Sequence, residues 1–457
     1  MRIRVTPGGR LRGVLHVPGD KSIAHRWLIL ACTGSSRSRL TGLPGALDVR
    51  STASCLAELT LKARPALDLW ARNASSGVEG GGSTWNDTPR GVSNGTLEVE
   101  GEGRDGLVEP GAGLDCGNSG TSMRLLAGIL ATAPFTSRLT GDRSLSTRPM
   151  ERVAGPLRQM GATVRTTDGH PPLIVTGGRL LGIEHRMEAP SAQVKGALLL
   201  AGVQASGETF VIEPAATRDH TERALDALGA PVRREGLRVG IARFQHEGFE
   251  ATVPGDPSSA AFLIAAAAMS GSEVTIEGVG LNPTRLHFLQ VLSRMGVTVE
   301  TAIAAEQLGE PVGSIHVAPA DALRSTTVEA DELPLVIDEV PVLAMLGAHA
   351  SGETSFLGAS ELKVKESDRL TSLVGGIRAL GGHAAAESND DLVIAGGGLR
   401  GGVASSGGDH RVAMAFTVGS LAADRPSEVE GMEAAAVSFP GFVETLRSMG
   451  AGIEVVG

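Results

Sequence analysis

Apolar and polar positions along this chain are organised on two scales. Six times a short polar segment runs straight into a helix-like stretch of Ala, Leu and Gly: residues 18–26 (PGDKSIAHR), 116–124 (CGNSGTSMR), 190–195 (PSAQVK), 254–261 (PGDPSSAA), 337–341 (IDEVP) and 407–411 (GGDHR). Each places Ser, Thr, Asp, Asn, Lys or Arg at the start of a predicted helix, where unpaired backbone N–H groups and the helix dipole favour anions. The pattern predicts a small ligand carrying phosphate or carboxylate.

A second signature, Leu-x-x-Met/Leu-Gly or a close variant, recurs at 157–161, 225–229, 292–296, 377–381 and 446–450. Its glycine is the expected helix stop, because Gly takes the left-handed C′ conformation cheaply. Alternating residues such as Ala162, Thr163 and Val164 then predict a strand. Most copies lie 67 to 69 residues apart, with one longer gap. That period implies a repeated α/β unit, not a solenoid of short repeats. Six units divide into three plus three, which predicts two compact halves with a cleft between them. The expected domains are 22–253 and, discontinuously, 1–21 plus 254–457, with the strand at 2–5 returning to the second.

Counting back, Leu56 to Leu59 should close the first signature helix, yet the next signature glycine comes about 100 positions later. The surplus falls in residues 64–110, rich in Gly, Ser, Asn and acidic side chains. The stretch reads as containing a solvated, flexible insertion of roughly thirty residues, and the whole of 64–110 is expected to be dispensable, so that joining Ala63 to Gly111 should preserve activity. The Asn-x-Ser/Thr triplets at Asn73, Asn86 and Asn94 would matter only in a secreted chain.

Composition narrows the class. A chain of 457 residues exceeds one ordinary core. No apolar run is long enough to span a bilayer, and the start, MRIRVTPGGRLRG, lacks the apolar segment of a secretion signal; a cytoplasmic protein is expected. Three cysteines without metal-ligand spacing point to reduced thiols. A net charge of −10 disfavours nucleic-acid and membrane partners. An anionic substrate must therefore be caught by a local cationic cluster.

Several residues suit that task, and each has a plainer reading. Lys21, Ser22 and Arg26 share one helix face, although Asp20 stands where the phosphate loop of nucleoside triphosphatases needs Gly; alone they describe a capped surface helix. Gly120 admits close backbone approach or merely turns the chain. Arg148, Arg218, Arg369 and Arg411 offer planar, bidentate pairing to phosphate or carboxylate, or simply surface ion pairs. Asp338 and Glu366 are the acid/base candidates, against a helix cap for Asp338 and a salt-bridged surface helix for Glu366. Cys116 has no partner His and reads as a buried, inert thiol.

Taken together and in order, PGDKSIAHR, DCGNSGTSMR, GDRSLSTRPM (141–150), PSAQVK, TRDHTE (217–222), KESDR (365–369) and DHR (409–411) closely resemble the 5-enolpyruvylshikimate-3-phosphate (EPSP) synthase family. The resemblance runs from Thr6 almost to the C-terminus and misses only 64–110. It implies a two-domain inverse α/β barrel built from six βαβαββ-type units, three per domain, with helix N-termini facing an interdomain active site. It further implies a monomer that transfers the enolpyruvyl group of phosphoenolpyruvate to the 5-hydroxyl of shikimate 3-phosphate, on the route to chorismate and aromatic amino acids, with no metal and no organic cofactor. By motif, Lys21, Ser22, Arg26, Ser191, Gln193, Arg218, Asp338 and Lys365 would hold shikimate 3-phosphate. Lys21, Gly120, Arg148, Gln193, Arg369 and Arg411 would hold phosphoenolpyruvate, and Lys21, Asp338 and Glu366 would move protons.

Two positions depart from some members of the family: Ala192 replaces a Ser, and Val437 stands where a Lys precedes Phe-Pro. The alternatives are the related transferase acting on UDP-N-acetylglucosamine, which depends on a mobile-loop Cys, and a catalytically silent phosphometabolite-binding protein. The Lys21-Ser22 loop and the 365–369 motif favour the shikimate enzyme, as do Lys21, Asp338, Glu366 and Arg369 together. The resemblance also implies sensitivity to the herbicide glyphosate, which competes with phosphoenolpyruvate in many members of this family.

Overall fold

The computed structural model describes residues 1–73, 95–319 and 322–456. The chain divides into two compact units, one of residues 19–254 with 306–310, the other of 1–18, 255–305 and 311–457. Each has its own continuous apolar core.

The helices in chain order are α1 (Lys21–Thr33), α2 (Leu47–Leu59), α3 (Arg64–Asn73), α4 (Gly120–Leu130), α5 (Glu151–Met160), α6 (Ala192–Gly202), α7 (His220–Ala227), α8 (Pro257–Met269), α9 (His287–Arg294), α10 (Leu333–Val336), α11 (Val340–His349), α12 (Arg369–Ala379), α13 (His410–Ser420) and α14 (Phe442–Ser448). All six polar-to-apolar junctions become the N-termini of α1, α4, α6, α8, α11 and α13. These helices are rich in Ala, Leu and Gly because they are buried on nearly every face; α13 is buried along its whole length. A buried helix start must find acceptors for its orphan N–H groups. Asp20, Ser119, Ser191, Asp256 and Asp409 supply them as N-caps, each accepting a backbone N–H from the first turn.

The signature segments are the amphipathic outer helices α5, α7, α9, α12 and α14. The glycine after each, Gly161, Gly229, Gly296, Gly381 and Gly450, has positive φ, the C′ conformation that lets the chain turn back into a strand. The first copy, α2, ends differently: Thr60 leaves it in extended conformation.

Among the described residues the strands form six small sheets. In a complete unit, Leu114–Asp115 runs through α4 to Thr136–Thr140, its parallel neighbour, and then through α5 to the antiparallel pair Thr163–Thr167 and His170–Thr176. Two sheets are completed out of order. Arg12–His16 pairs with Glu273–Gly280, and Glu250–Thr252 pairs with Arg37–Thr41. In both cases the strand before a helix joins the strand after a different one. Arg2–Thr6 lies between Ser427–Glu430 and Gly452–Val455. The architecture is the inverse α/β barrel of repeated βαβαββ-type units.

The reading of 64–110 as a dispensable insertion is wrong at both ends. Residues 64–73 form α3, whose Leu67, Trp70 and Ala71 enter the core. Leu97–Glu100 pairs antiparallel with Arg37–Thr41 and buries Leu97 and Val99. Glu102 then accepts the backbone N–H groups of Leu61 and Lys62, both at 2.9 Å. The high polar content concealed two short elements, a helix that contributes one narrow face to the core and a strand that contributes alternate residues. Residues 74–94, including Asn86 and Asn94, lie outside the described part. Joining Ala63 to Gly111 should therefore unfold this unit. Trp70→Ala alone is expected to cost about 3 kcal/mol, read as a lower urea midpoint at unchanged slope; an unchanged midpoint would show that α3 is not part of the core.

Candidate active site

In the 19–254 unit, helix starts gather a cationic cluster. Lys21, the first residue of α1, points its ammonium at Asp48 of α2 (3.2 Å). Arg26 is buried one turn further on. Its guanidinium donates to Thr221 Oγ1 and to the Ser22 carbonyl, both at 2.7 Å. Burial pulls its pKa down to about 10, against the opposing pull of Glu222 and Asp20, so it remains a cation at neutral pH. His25 is buried beside them, and burial, Lys21 and Arg26 hold its pKa near about 3. It is neutral and unsuited to acid catalysis near pH 7.

At the start of α4, Arg148 donates to Asn118 Oδ1 (2.7 Å), whose amide in turn donates to Asp142 (2.7 Å). Arg124 donates to Gln193 Oε1 (2.5 Å), and the Gln193 amide donates to Thr121 Oγ1 (2.8 Å). Gly120 lies under both arginines. A Cβ there would stand 2.8 Å from Arg124 Nη1 and 3.3 Å from Arg148 Nη1. Ser191, the cap of α6, accepts from Val194 N–H at 3.3 Å, leaving its own proton free to donate. Arg218 is partly exposed on the turn before α7, close enough to Arg26 to influence its charge.

The other unit holds a tighter arrangement around Arg369, the first residue of α12, whose side chain has no exposure. Its guanidinium meets three carboxylates: Asp409 through Nε at 2.8 Å, Glu366 through Nη2 at 2.5 Å and Asp338 at 3.5 Å. Burial works against the charge on Arg369, but those carboxylates outweigh it and hold its pKa above the ordinary arginine value. Arg411, in the first turn of α13, donates to the Asp338 carbonyl (3.0 Å) and lies 3.7 Å from its carboxylate. Lys365 is half-buried. Burial and the nearby Arg369 lower its pKa, and Asp338 and Glu366 only partly offset them.

Asp338 is thus not a helix cap. Glu339 occupies the N-cap position of α11, which leaves the Asp338 carboxylate facing two arginines. Glu366 precedes α12 and is not part of an exposed helical ladder. Cys116 is buried, and a hydrogen bond with Cys55 together with burial holds its thiol well above the usual range, so it supplies no nucleophile. Among the described residues no three His, Cys, Asp or Glu side chains are placed to hold a metal ion. No described helix is long and apolar enough to cross a membrane.

The family model for EPSP synthase (3-phosphoshikimate 1-carboxyvinyltransferase) matches residues 5–71 and 90–446. The chain belongs to this family. A 3-phosphoshikimate 1-carboxyvinyltransferase of Methylococcus capsulatus is 46% identical, the alignment covering 98% of this chain and 97% of that one. Its counterpart in Halorhodospira halophila is 44% identical over 99% and 97%. The solved EPSP synthase of Acinetobacter baumannii superposes with a TM-score of 0.80 at 38% identity, covering both chains fully. The enolpyruvyl transferase NikO of Streptomyces tendae, at 20% identity, shares the fold (TM-score 0.73, covering 99% and 98%).

Sequence reasoning assigned no role to Asp48, Arg124 or Asp409. Asp409 had a legible signal: it precedes a buried helix as Asp20 and Asp256 do. Asp48 and Arg124 had none, because each acquires its partner only by folding. Asp409 is held ionised by Arg369 and His410 against the cost of burial. Asp409→Asn should remove a counter-charge from a fully buried guanidinium and destabilise the protein by about 3 kcal/mol. Chemical denaturation measures this, and a loss below about 1 kcal/mol would mean that Glu366 and Asp338 suffice.

Proposed function

We propose that the chain transfers the enolpyruvyl group of phosphoenolpyruvate to the 5-hydroxyl of shikimate 3-phosphate and releases phosphate. One observation carries the reading: in a chain matching the family along nearly its whole length, Asp338 and Glu366 are partly exposed carboxylates sharing the buried Arg369. Two acid/base groups are held beside a buried cation that cannot turn away.

The chemistry needs that inventory. The 5-hydroxyl oxygen adds to C2 of the enol while C3 gains a proton, forming a tetrahedral phosphate ketal; loss of a C3 proton and of phosphate then restores the double bond. Donors and acceptors must work in both directions. Asp338 takes the hydroxyl proton, and Lys21 and Glu366 serve C3 and the departing phosphate. Ser22, Arg26, Ser191, Gln193, Arg218 and Lys365, with Lys21 and Asp338, hold shikimate 3-phosphate; the free proton of Ser191 suits a phosphate oxygen. Gly120, Arg148, Arg369 and Arg411, with Lys21 and Gln193, hold phosphoenolpyruvate. Two anionic substrates repel each other, so fixed cations contribute both orientation and electrostatic stabilisation.

Phosphate release measured with both substrates tests the reading, and no release by the folded protein would overturn it. Lys21→Ala should lower kcat by at least about a hundredfold while the circular dichroism spectrum stays unchanged. Asp338→Asn and Glu366→Gln should slow turnover and still bind shikimate 3-phosphate in calorimetry. Loss of binding with unaltered chemistry would reassign either residue from proton transfer to positioning.

Gly120 supplies a separate test. A methyl there must displace Arg124 and crowd Arg148, in space that the longer glyphosate needs more than phosphoenolpyruvate does. The natural protein is expected to be sensitive, and Gly120→Ala should weaken glyphosate relative to phosphoenolpyruvate by about 1 to 3 kcal/mol. Equal changes in the inhibition constant and the Michaelis constant would show that Gly120 does not discriminate.

A further inference from the structure

The 19–254 unit buries a charged triad for which the reaction has no use. Lys195, in the first turn of α6, places its ammonium 2.8 Å from Glu213 and 2.7 Å from Glu222, and none of the three side chains is more than 4% exposed. The two carboxylates bracket one segment: Glu213 follows the strand Thr209–Ile212, and Glu222 lies in the first turn of α7. Between them stand Thr217 and Arg218. Glu213 also accepts the Thr217 hydroxyl, and Thr221, beside Glu222, accepts Arg26 Nε.

Stability does not account for the triad. A buried ion cluster recovers little beyond its desolvation cost, and apolar residues of the same volume generally do as well. Here one carboxylate oxygen, Glu222 Oε2, has no hydrogen bond at all. The charge is nonetheless maintained: burial works against the Lys195 ammonium, and the two carboxylates together raise its pKa above the ordinary lysine value. What the cluster does achieve is geometric. One ammonium on α6 closes the segment 213–222 at both ends and so sets the turn that carries Arg218.

We propose that Lys195 is a positioning residue for shikimate 3-phosphate, acting through Glu213, Thr217 and Glu222 to hold Arg218 and Arg26 in place without touching substrate. The inference rests on the proposed function, so the unaltered protein is assayed first. If it fails to release phosphate, that reading falls before this one is tested.

The test is the charge-free triple variant Lys195→Met/Glu213→Gln/Glu222→Gln, which avoids stranding a buried charge, together with the near-isosteric Thr217→Val. In each, the Michaelis constant for shikimate 3-phosphate should rise about tenfold while that for phosphoenolpyruvate changes by less than about twofold. A merely structural role would move both constants together, or neither, and either result overturns the proposal. Should the triple variant fail to fold, Thr217→Val decides alone by the same criterion. If the triple variant folds and only Thr217→Val raises the constant, the Thr217 hydroxyl contacts substrate directly and the triad has no positioning role.

Discussion

A helix buried on nearly all sides cannot leave its first N–H groups to water, and most of this structure follows from that constraint. Six helices of Ala, Leu and Gly run through the two cores. Five of them begin with a side chain that accepts from the first turn. Polar residues are therefore compulsory where each helix starts. The remaining N–H groups and the aligned peptide dipoles make the same places favourable to anions. Structural necessity and ligand chemistry thus fall on the same short loops, and this is why Lys21, Gly120, Gln193, Asp338 and Arg411 all sit within a few residues of a buried helix start.

The clusters within the two units handle charge differently. Around Arg369 one guanidinium is surrounded by Asp338, Glu366 and Asp409, so it stays charged without any exposure. Its planar fork, with donors in fixed directions, can serve three carboxylates at once, which a flexible ammonium could not do with the same geometry. Around α4 the guanidinium groups of Arg124 and Arg148 donate to amides, a carbonyl and a hydroxyl. Amide oxygens accept from a guanidinium in fixed directions and so hold it in position.

The repeat was legible because it is written in strong signals. A glycine that must take positive φ closes five outer helices, and an abrupt change from polar to apolar residues opens six inner ones. The stretch 64–110 was misread because its elements are short and polar overall, which hides a contact of two helical turns. α3 sends only Leu67, Trp70 and Ala71 inward, and the strand at 97–100 only Leu97 and Val99. So few apolar positions do not stand out against a glycine-rich background, and only packing identifies them.

Local chemistry by itself determined where the six inner helices begin and where the signature helices end, that the unit repeats, and which loops offer cations and carboxylates. Those properties depend on neighbours a few residues apart, through capping, the 3.6-residue period and the freedom of glycine. Tertiary structure decided which charges meet. Lys21 pairs with Asp48, Lys195 with Glu213 and Glu222, and Arg369 with Asp338 and Asp409. It also decided that Glu250–Thr252 joins Arg37–Thr41, and that the segment 306–310 belongs with residues 19–254, where Glu310 reaches His220 at 2.8 Å. Partners so far apart in sequence leave no periodic trace, because the energy that selects them, desolvation offset by a close opposite charge, exists only once both are buried together.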